Sequence, residues 1–332
     1  MLRCGYPGRS RGFWGEHRHG GCVRDIRNTL ELARKSGVAI GHFNVADFVL
    51  LKAVFSSAQE LQVPVLVGAS EGEREFMGTR QMAAVVRSLR EESDFPIFLN
   101  ADHTHSLEKA IEAAEAGFDT VVFDASALPF EENARQTQEA VEALKAINPA
   151  ILIEGEIGNI GTGSEIHQFA PDLSKYLTTP AEARHFVEFT GVDVLAPAVG
   201  NMHGMSQKMV KGENKKRLDI DRIAQIKKAA RVPLTLHGGS GTDDDDLRQA
   251  IAAGINIVHI NTELRVAWRS GLETGLSAQP DQVVPYKILP FAVASVKQVA
   301  CARLRLFNGA RQLPFEDECP EASAAQKQHT LS

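Results

Sequence analysis

The chain has 332 residues, 43% hydrophobic and 23% charged, with 27 glycines and a formal net charge of -6. This composition gives ample material for one large globular core, the acidic balance excludes a general nucleic-acid footprint, and no run is apolar for long enough to span a membrane. Four cysteines, Cys4, Cys22, Cys301 and Cys319, lie near the two ends with no CxxC spacing, and read as free thiols in a reducing, cytoplasmic compartment.

Residues 1–22 are rich in Gly, Arg and His, show no apolar periodicity and lack the hydrophobic core of a secretory signal. They read as a disordered leader, and residues 23–308 as one folded domain. The apolar spacing predicts a helix over 25–35, stopped by Gly37, then a strand Val38–Gly41 ending at His42-Phe43-Asn44. A helix over 48–61 leads to a second strand Val63–Val67, which ends at Ala69-Ser70-Glu71-Gly72. An amphipathic helix over 79–90 precedes the third strand, Pro96–Leu99, and a helix over 107–116 the fourth, Asp119–Asp124. A helix over 131–147 is followed by the fifth strand, Ile151–Glu156, and a long glycine-bearing loop from Gly158 to about Thr178. Helices over 180–189, 220–230 and 243–253 then alternate with strands Val192–Val199, Val232–Leu236 and Ile255–Ile260. Helices over 263–272 and 291–306 close the pattern, and the polar stretch 309–332 reads as a disordered tail.

Continuous apolar runs mark strands buried on both faces. Eight of them alternating with helices fit an α/β fold, a single (β/α)₈ barrel with extra terminal helices. A doubly wound open sheet would gather its chemistry at one switch point. Here polar residues end nearly every strand: Asn44, Ser70, Asp102 with His103, Asp124, Glu154 with Glu156, His203, His237 and Asn261. That distribution suits the C-terminal face of a barrel.

The stretch that organises the site is Asn100-Ala101-Asp102-His103-Thr104-His105. In extended backbone Asp102 and His103 point to opposite faces, unless the chain turns both inward. The plain structural reading makes Asp102 or Thr104 the cap of the following helix. Against it stand His203 in Asn201-Met202-His203-Gly204 and His237 in His237-Gly238-Gly239-Ser240-Gly241. Three histidines at three strand ends form an open site that suits zinc, with cobalt and iron as alternatives. His42 and His105 are rivals for packing or outer positions. Gly238, Gly239 and Ser240 can bring backbone amides to an anion at a helix start, or can simply form a βα turn. Glu154 and Glu156 share a strand face, and with Asp124 read either as surface acids or as further metal ligands.

These residues carry a resemblance to the class II, metal-dependent ketose-bisphosphate aldolases, from about Leu30 to Asn308. Besides the stretches above, it rests on Phe43-Asn44-Val45, Phe123-Asp124-Ala125-Ser126, Glu154-Gly155-Glu156-Ile157-Gly158 and Asn261-Thr262-Glu263-Leu264. The resemblance implies reversible aldol cleavage of a phosphorylated ketose, with His103, His203 and His237 on zinc. It implies Asp102 as the proton-transfer residue, and Asp124 and Glu156 at a second or alternative divalent position. Gly204, Gly238, Ser240, Asn261 and Thr262 are the implied phosphate cradle, with Asn44, Ser70, Gly239 and His259 as further substrate-binding candidates. A monovalent cation and a homo-oligomer, dimer or tetramer, belong to the same expectation. The chain departs from the family where Gly161-Thr162-Gly163-Ser164-Glu165 replaces a Gly-Gly-acid loop, which makes Glu165 the candidate loop acid. It departs again at His259, which stands where an Asn is usual, and at Gln207 or Lys208, near a usual lysine. Two other classes fit part of the pattern. A zinc-dependent hydrolase on the same barrel would not need the phosphate loop, and a non-catalytic sugar-phosphate sensor would not need Asp102.

Overall fold

The protein is described by a computed structural model that covers residues 25–161, 163, 165–168 and 176–309. The leader expected over 1–22 and nearly all of the tail expected over 309–332 lie outside these residues. Ten strands follow in chain order: β1 (Ile40–Asn44), β2 (Val65–Ala69), β3 (Ile97–Thr104), β4 (Thr120–Phe123), β5 (Leu152–Ile157), β6 (Ile166–His167), β7 (Val194–Pro197), β8 (Met205–Ser206), β9 (Leu234–Leu236) and β10 (Ile255–Ile260). Eight of them close a parallel barrel in the order β1-β2-β3-β4-β5-β7-β9-β10, and β6 pairs with β8 as a separate two-stranded strap. With helices between the strands and extra helices at both ends, this is the expected (β/α)₈ barrel.

Local chemistry sets the helix boundaries. Asp47 accepts from the Leu50 amide at the start of Phe48–Leu61, and Thr179 with Glu182 forms a capping box on Pro180–Thr190. Gly37, Gly117 and Gly191 end their helices in the left-handed region.

The barrel interior is layered. Ile40, Leu66, Phe98, Leu152, Val194 and Ile257 pack into an apolar plug against Ile26, Leu30 and Ala33 of the first helix, Ile26–Ser36. Strand side chains that share a face recur every second residue. The next inward step therefore gives His42, Asn100, Glu154 and His259, all buried. The step after that gives Asn44, Asp102, Glu156 and the rim residue Asn261. The barrel thus changes from hydrocarbon to titratable groups within one side-chain layer. Gly68 makes room for this change, because a Cβ there would run into the His42 ring.

Strand β3 differs from the sequence reading. It does not stop at Leu99 but runs to Thr104, with a register shift against β4 between Ala101 and Thr104. His103 sits in this bulge at a φ of 40°, a conformation unusual for a residue with a Cβ. The bulge cancels strict alternation and turns both Asp102 and His103 inward. Ser106, not Asp102 or Thr104, caps the following helix by accepting from the Lys109 amide. Ser70, expected in a loop, starts a short helix over Glu71–Met77. From that helix the buried Arg74 guanidinium donates to the Ala69 carbonyl at 2.5 Å, the Asp102 carbonyl at 3.2 Å and the Thr104 hydroxyl at 3.1 Å.

Arg74 therefore clamps the bulge. Arg74→Met strands these buried acceptors and is expected to lower unfolding free energy by roughly 1–3 kcal/mol, read from the urea midpoint. An unchanged midpoint would show that the bulge holds itself.

Candidate active site

The three histidines named from the sequence meet. Ring centroids of His103 and His203 lie 4.6 Å apart, those of His103 and His237 4.8 Å, and those of His203 and His237 5.9 Å. Together with Glu156 they form a group whose ligand atoms all lie within 4.8 Å of one another.

Carboxylates behind the rings select the nitrogens that face inward. His103 Nδ1 lies 2.8 Å from Asp124 Oδ2, so an Nδ1–H donated there leaves Nε2 as the inward donor atom. His237 Nε2 lies 2.6 Å from Glu154 Oε1, which likewise leaves Nδ1. The two remaining nitrogens, His103 Nε2 and His237 Nδ1, face each other at 3.1 Å. Asn201 ties the two loops by accepting from the Val199 amide and donating to the His237 carbonyl.

The donor set fits a divalent cation. Burial, reinforced by the charge of His103, pushes His237 down to about 3, so its imidazole is neutral, and burial pushes His203 well below the usual range. Burial opposes the charged form of His103, but Asp102 and the bond to Asp124 raise it to about 10, so a cation at Nε2 would take the place of that nitrogen's proton. Burial and the Asp124 charge raise Glu156 well above the usual carboxylate range. Its Oε2 is buried without a hydrogen-bond partner among the described residues, 3.4 Å from His237 Nδ1 and 3.9 Å from His103 Nδ1. An unpartnered carboxylate oxygen beside converging imidazole nitrogens is stabilised by a shared positive ion. Asp124, read from the sequence at a metal position, has its oxygens engaged by His103 and by the Ser126 amide and hydroxyl. Its Oδ2 thus lies against the outer nitrogen of His103.

Asp102 lies at the edge of this cluster. Its Oδ2 accepts from Asn44 Nδ2 at 2.9 Å. Its Oδ1 has no partner among the described residues, with His259 Nδ1 3.4 Å and His103 Nε2 3.9 Å away. Burial acts to raise the Asp102 carboxyl, but His103 and His259 outweigh it and hold the group well below its usual value, ionised. Asn44 also donates to Glu73 at 2.9 Å, and Glu73 in turn accepts from the Ser70 amide and hydroxyl. Asn44 and Ser70, expected on substrate, are thus placed where they steady Asp102 and the helix behind it. The His259 ring stacks on those of His42 and His237, with centroids 3.5 and 4.0 Å away.

Next to Asp102, a narrow cleft is lined by Gly204, Gly238, Ser240, Asn261 and Thr262. Among the described residues, the amides of Gly204, Gly238, Ser240 and Thr262 have no acceptor. Thr262 begins the 17-residue helix Thr262–Ala278, so that helix's N-terminus also faces the cleft. Free amides and a helix N-terminus are what an anion requires. Ser240 Oγ accepts from the Asn261 and Glu263 amides and joins the loops after β9 and β10. The Gly239 amide is engaged with the His259 carbonyl. Glu165 is exposed on the strap, with its carbonyl accepting from the Met205 amide beside Gly204. Gln207 and Lys208 are exposed.

Two residues here escaped the sequence reading of the site: Glu73, a buried acid that accepts from Asn44 and Ser70, and Lys216. The buried Lys216 Nζ donates to four backbone carbonyls, those of Met202, Gly204, Gly238 and Ser240.

Residues 24–312 match the family model described as fructose-bisphosphate aldolase class-II. The chain is 34% identical over 286 residues to a probable fructose-bisphosphate aldolase of Bacillus subtilis, covering 85% of this chain and 96% of that one. It is 33% identical over 300 residues to a fructose-bisphosphate aldolase of Thermus caldophilus, covering 84% and 96%. Among solved structures it is similar to the YdjI aldolase of Escherichia coli K12, with a TM-score of 0.70, 29% identity, and coverage of 86% and 97%. It is also similar to a putative fructose-1,6-biphosphate aldolase of Coccidioides immitis, with a TM-score of 0.73, 25% identity, and coverage of 89% and 99%.

The carboxylates behind the rings generate a prediction. Glu154→Gln and Asp124→Ala should each weaken zinc binding about 10–100-fold, measured by competition with a chromogenic chelator. Unchanged affinity in both would show that the rings are held by packing alone.

Proposed function

The chain belongs to the class-II fructose-bisphosphate aldolase family, and from that membership we propose a zinc-dependent aldolase acting on a ketose 1,6-bisphosphate. The substrate is fructose or tagatose bisphosphate, and the products are dihydroxyacetone phosphate and glyceraldehyde 3-phosphate. The observation that carries this reading is the position of Asp102 Oδ1. It is ionised, has no hydrogen-bond partner among the described residues, and shares one cleft with His103, His203 and the amides of Gly204, Gly238, Ser240 and Thr262. A zinc-dependent hydrolase would have no use for those amides.

His103, His203 and His237 would hold the metal, with Glu156 beside them as an alternative or second position. When bound, the metal supplies Lewis-acid stabilisation of the negative charge that develops on the ketone fragment. Asp102 Oδ1 takes the proton of the C4 hydroxyl during cleavage and returns it during condensation. Asn44 aims that oxygen by holding the other one. The amides of Gly204, Gly238, Ser240 and Thr262 hold the substrate phosphate, and fix the reacting carbons relative to Asp102. Asn261 and His259 line the remaining wall and face the substrate's hydroxyls. Glu165, on the strap beside Gly204, is the candidate for a second proton-transfer group.

A cytoplasmic location and a homo-oligomer, dimer or tetramer, complete the reading. Among the described residues no helix is long and apolar enough to cross a membrane. Exposed Phe48, Phe76 and Tyr286 offer apolar surface to a second copy.

A coupled assay over a panel of ketose phosphates tests the proposal. Cleavage of fructose or tagatose bisphosphate is expected, and cleavage of neither would refute it. Asp102→Asn keeps the shape of the side chain but cannot take a proton, so kcat for cleavage should fall on the order of 10²–10⁴-fold. Zinc content and Tm should stay near wild type. Proton exchange on dihydroxyacetone phosphate should suffer less, because it does not involve the C4 hydroxyl. A variant that loses its zinc would instead make Asp102 a ligand or a ligand's support.

A further inference from the structure

Lys216 lies in the irregular stretch between the short helix Gln207–Val210 and the helix Ile220–Ala230. Its backbone is fixed on both sides: its amide donates to the Gly241 carbonyl at 2.9 Å, and its carbonyl accepts from the Asp243 amide at 3.1 Å. The side chain runs beneath the two glycine loops, and the residue is 4% exposed. Nζ lies 2.7 Å from the Met202 carbonyl, 2.7 Å from Gly204, 2.9 Å from Gly238 and 2.6 Å from Ser240. Among the described residues no carboxylate lies within 4.0 Å of it.

An ammonium group has three N–H donors, yet four oxygens converge on it. The arrangement is that of a cation in a cage of carbonyl dipoles, as in ion sites built from backbone oxygens. A neutral amine would aim its lone pair at an oxygen. Burial favours that neutral form, pushing the group down to about 7. The four carbonyl dipoles favour the charged one.

The four carbonyls are not a random set. Met202 and Gly204 flank His203, and Gly238 and Ser240 follow His237. In each loop the two held carbonyls sit on either side of one central peptide. The N–H groups of those central peptides belong to Gly204 and Ser240, two of the free amides of the anion cleft. A positive charge below the loops thus fixes which way the amides above them point, and adds its potential to theirs.

We propose that Lys216 is a positioning residue whose tethered ammonium takes the place of a bound monovalent cation, locking both phosphate-facing loops so that the protein works without potassium or sodium. The proposal rests on the phosphate-binding reading of the cleft. It also accounts for the lysine in a stretch, Lys211-Gly212-Glu213-Asn214-Lys215-Lys216-Arg217, that otherwise has the composition of a solvated surface.

The test is ion rescue of Lys216→Met at constant ionic strength, with choline chloride as balancing salt. In choline alone the variant should lose on the order of 10²-fold in kcat/KM, the scale of a ~1 Å misplacement. Most of that loss should lie in KM, with zinc content retained. Ammonium or potassium chloride should restore it saturably and raise the variant's Tm, while wild type responds to neither ion. Lys216→Arg, too large for the cage, should not restore KM. If the variant folds only with potassium or ammonium present, the proposal is supported. If it folds under no condition, the wild type decides: a flat ion response supports the proposal and potassium stimulation overturns it. A folded, zinc-loaded variant with normal KM, or a loss that no ion reverses, also overturns it. Failure of the aldolase reading would look different, since wild type would then cleave no ketose phosphate in any salt. The Tm response of the variant to potassium would still judge the cage.

Discussion

His103 Nε2 and His237 Nδ1 face each other across 3.1 Å at the mouth of the barrel, each directed there by a carboxylate behind its ring. The His103–Asp124 and His237–Glu154 hydrogen bonds would fix opposite tautomers on the two rings once a cation displaces the Nε2 proton of His103. Reversal of either would turn an N–H toward the other ring and close the site to a cation. The buried acids depend on the same choice. Among the described residues Glu156 Oε2 and Asp102 Oδ1 have no hydrogen-bond partners, which is costly for buried carboxylates and becomes favourable when a positive ion sits among the imidazoles. The free oxygen of Asp102 is also the one proposed to carry the proton, so in that reading one electrostatic arrangement serves binding and proton transfer.

Backbone geometry delivers these groups. Every second residue of a barrel strand faces inward, and in β1, β3, β5 and β10 the inward series passes from Ile40, Phe98, Leu152 and Ile257 to polar residues above. Regular alternation would still send Asp102 and His103 to opposite faces. The bulge in β3 brings both inward, at the cost of a left-handed φ at His103. Arg74, the Asn44–Glu73 pair and the short helix Glu71–Met77 surround and hold that irregular segment. On the opposite wall Lys216 Nζ ties the two glycine loops together through four backbone carbonyls.

Much of this was legible in the sequence because it is written in local pattern. Helices 48–61, 107–116 and 220–230 have the boundaries their apolar spacing predicts, and all eight barrel strands appear as apolar runs. His103, His203 and His237 were identifiable because each follows such a run. What escaped was non-local or without a local signature. The bulge has no glycine to announce it, since Ala101-Asp102-His103-Thr104 reads as ordinary strand. Asn44 and Ser70 look like polar rim residues, and only the fold shows Glu73 engaging both. Lys216 stands among charged neighbours, and its burial follows from the backbone pairing at Gly241 and Asp243. Asp124 and Glu154 were recognisable as site acids, but which one backs which ring depends on strand neighbours far apart in sequence.

The central claim, that this mouth works as a cation site for aldol chemistry, is tested most directly by removing the cation. Protein stripped by a chelator should cleave no ketose bisphosphate, and one equivalent of zinc should restore both the rate and the lost Tm. Full cleavage by the metal-free protein, with a lysine adduct trapped by borohydride, would contradict the account and place the chemistry on an amine instead.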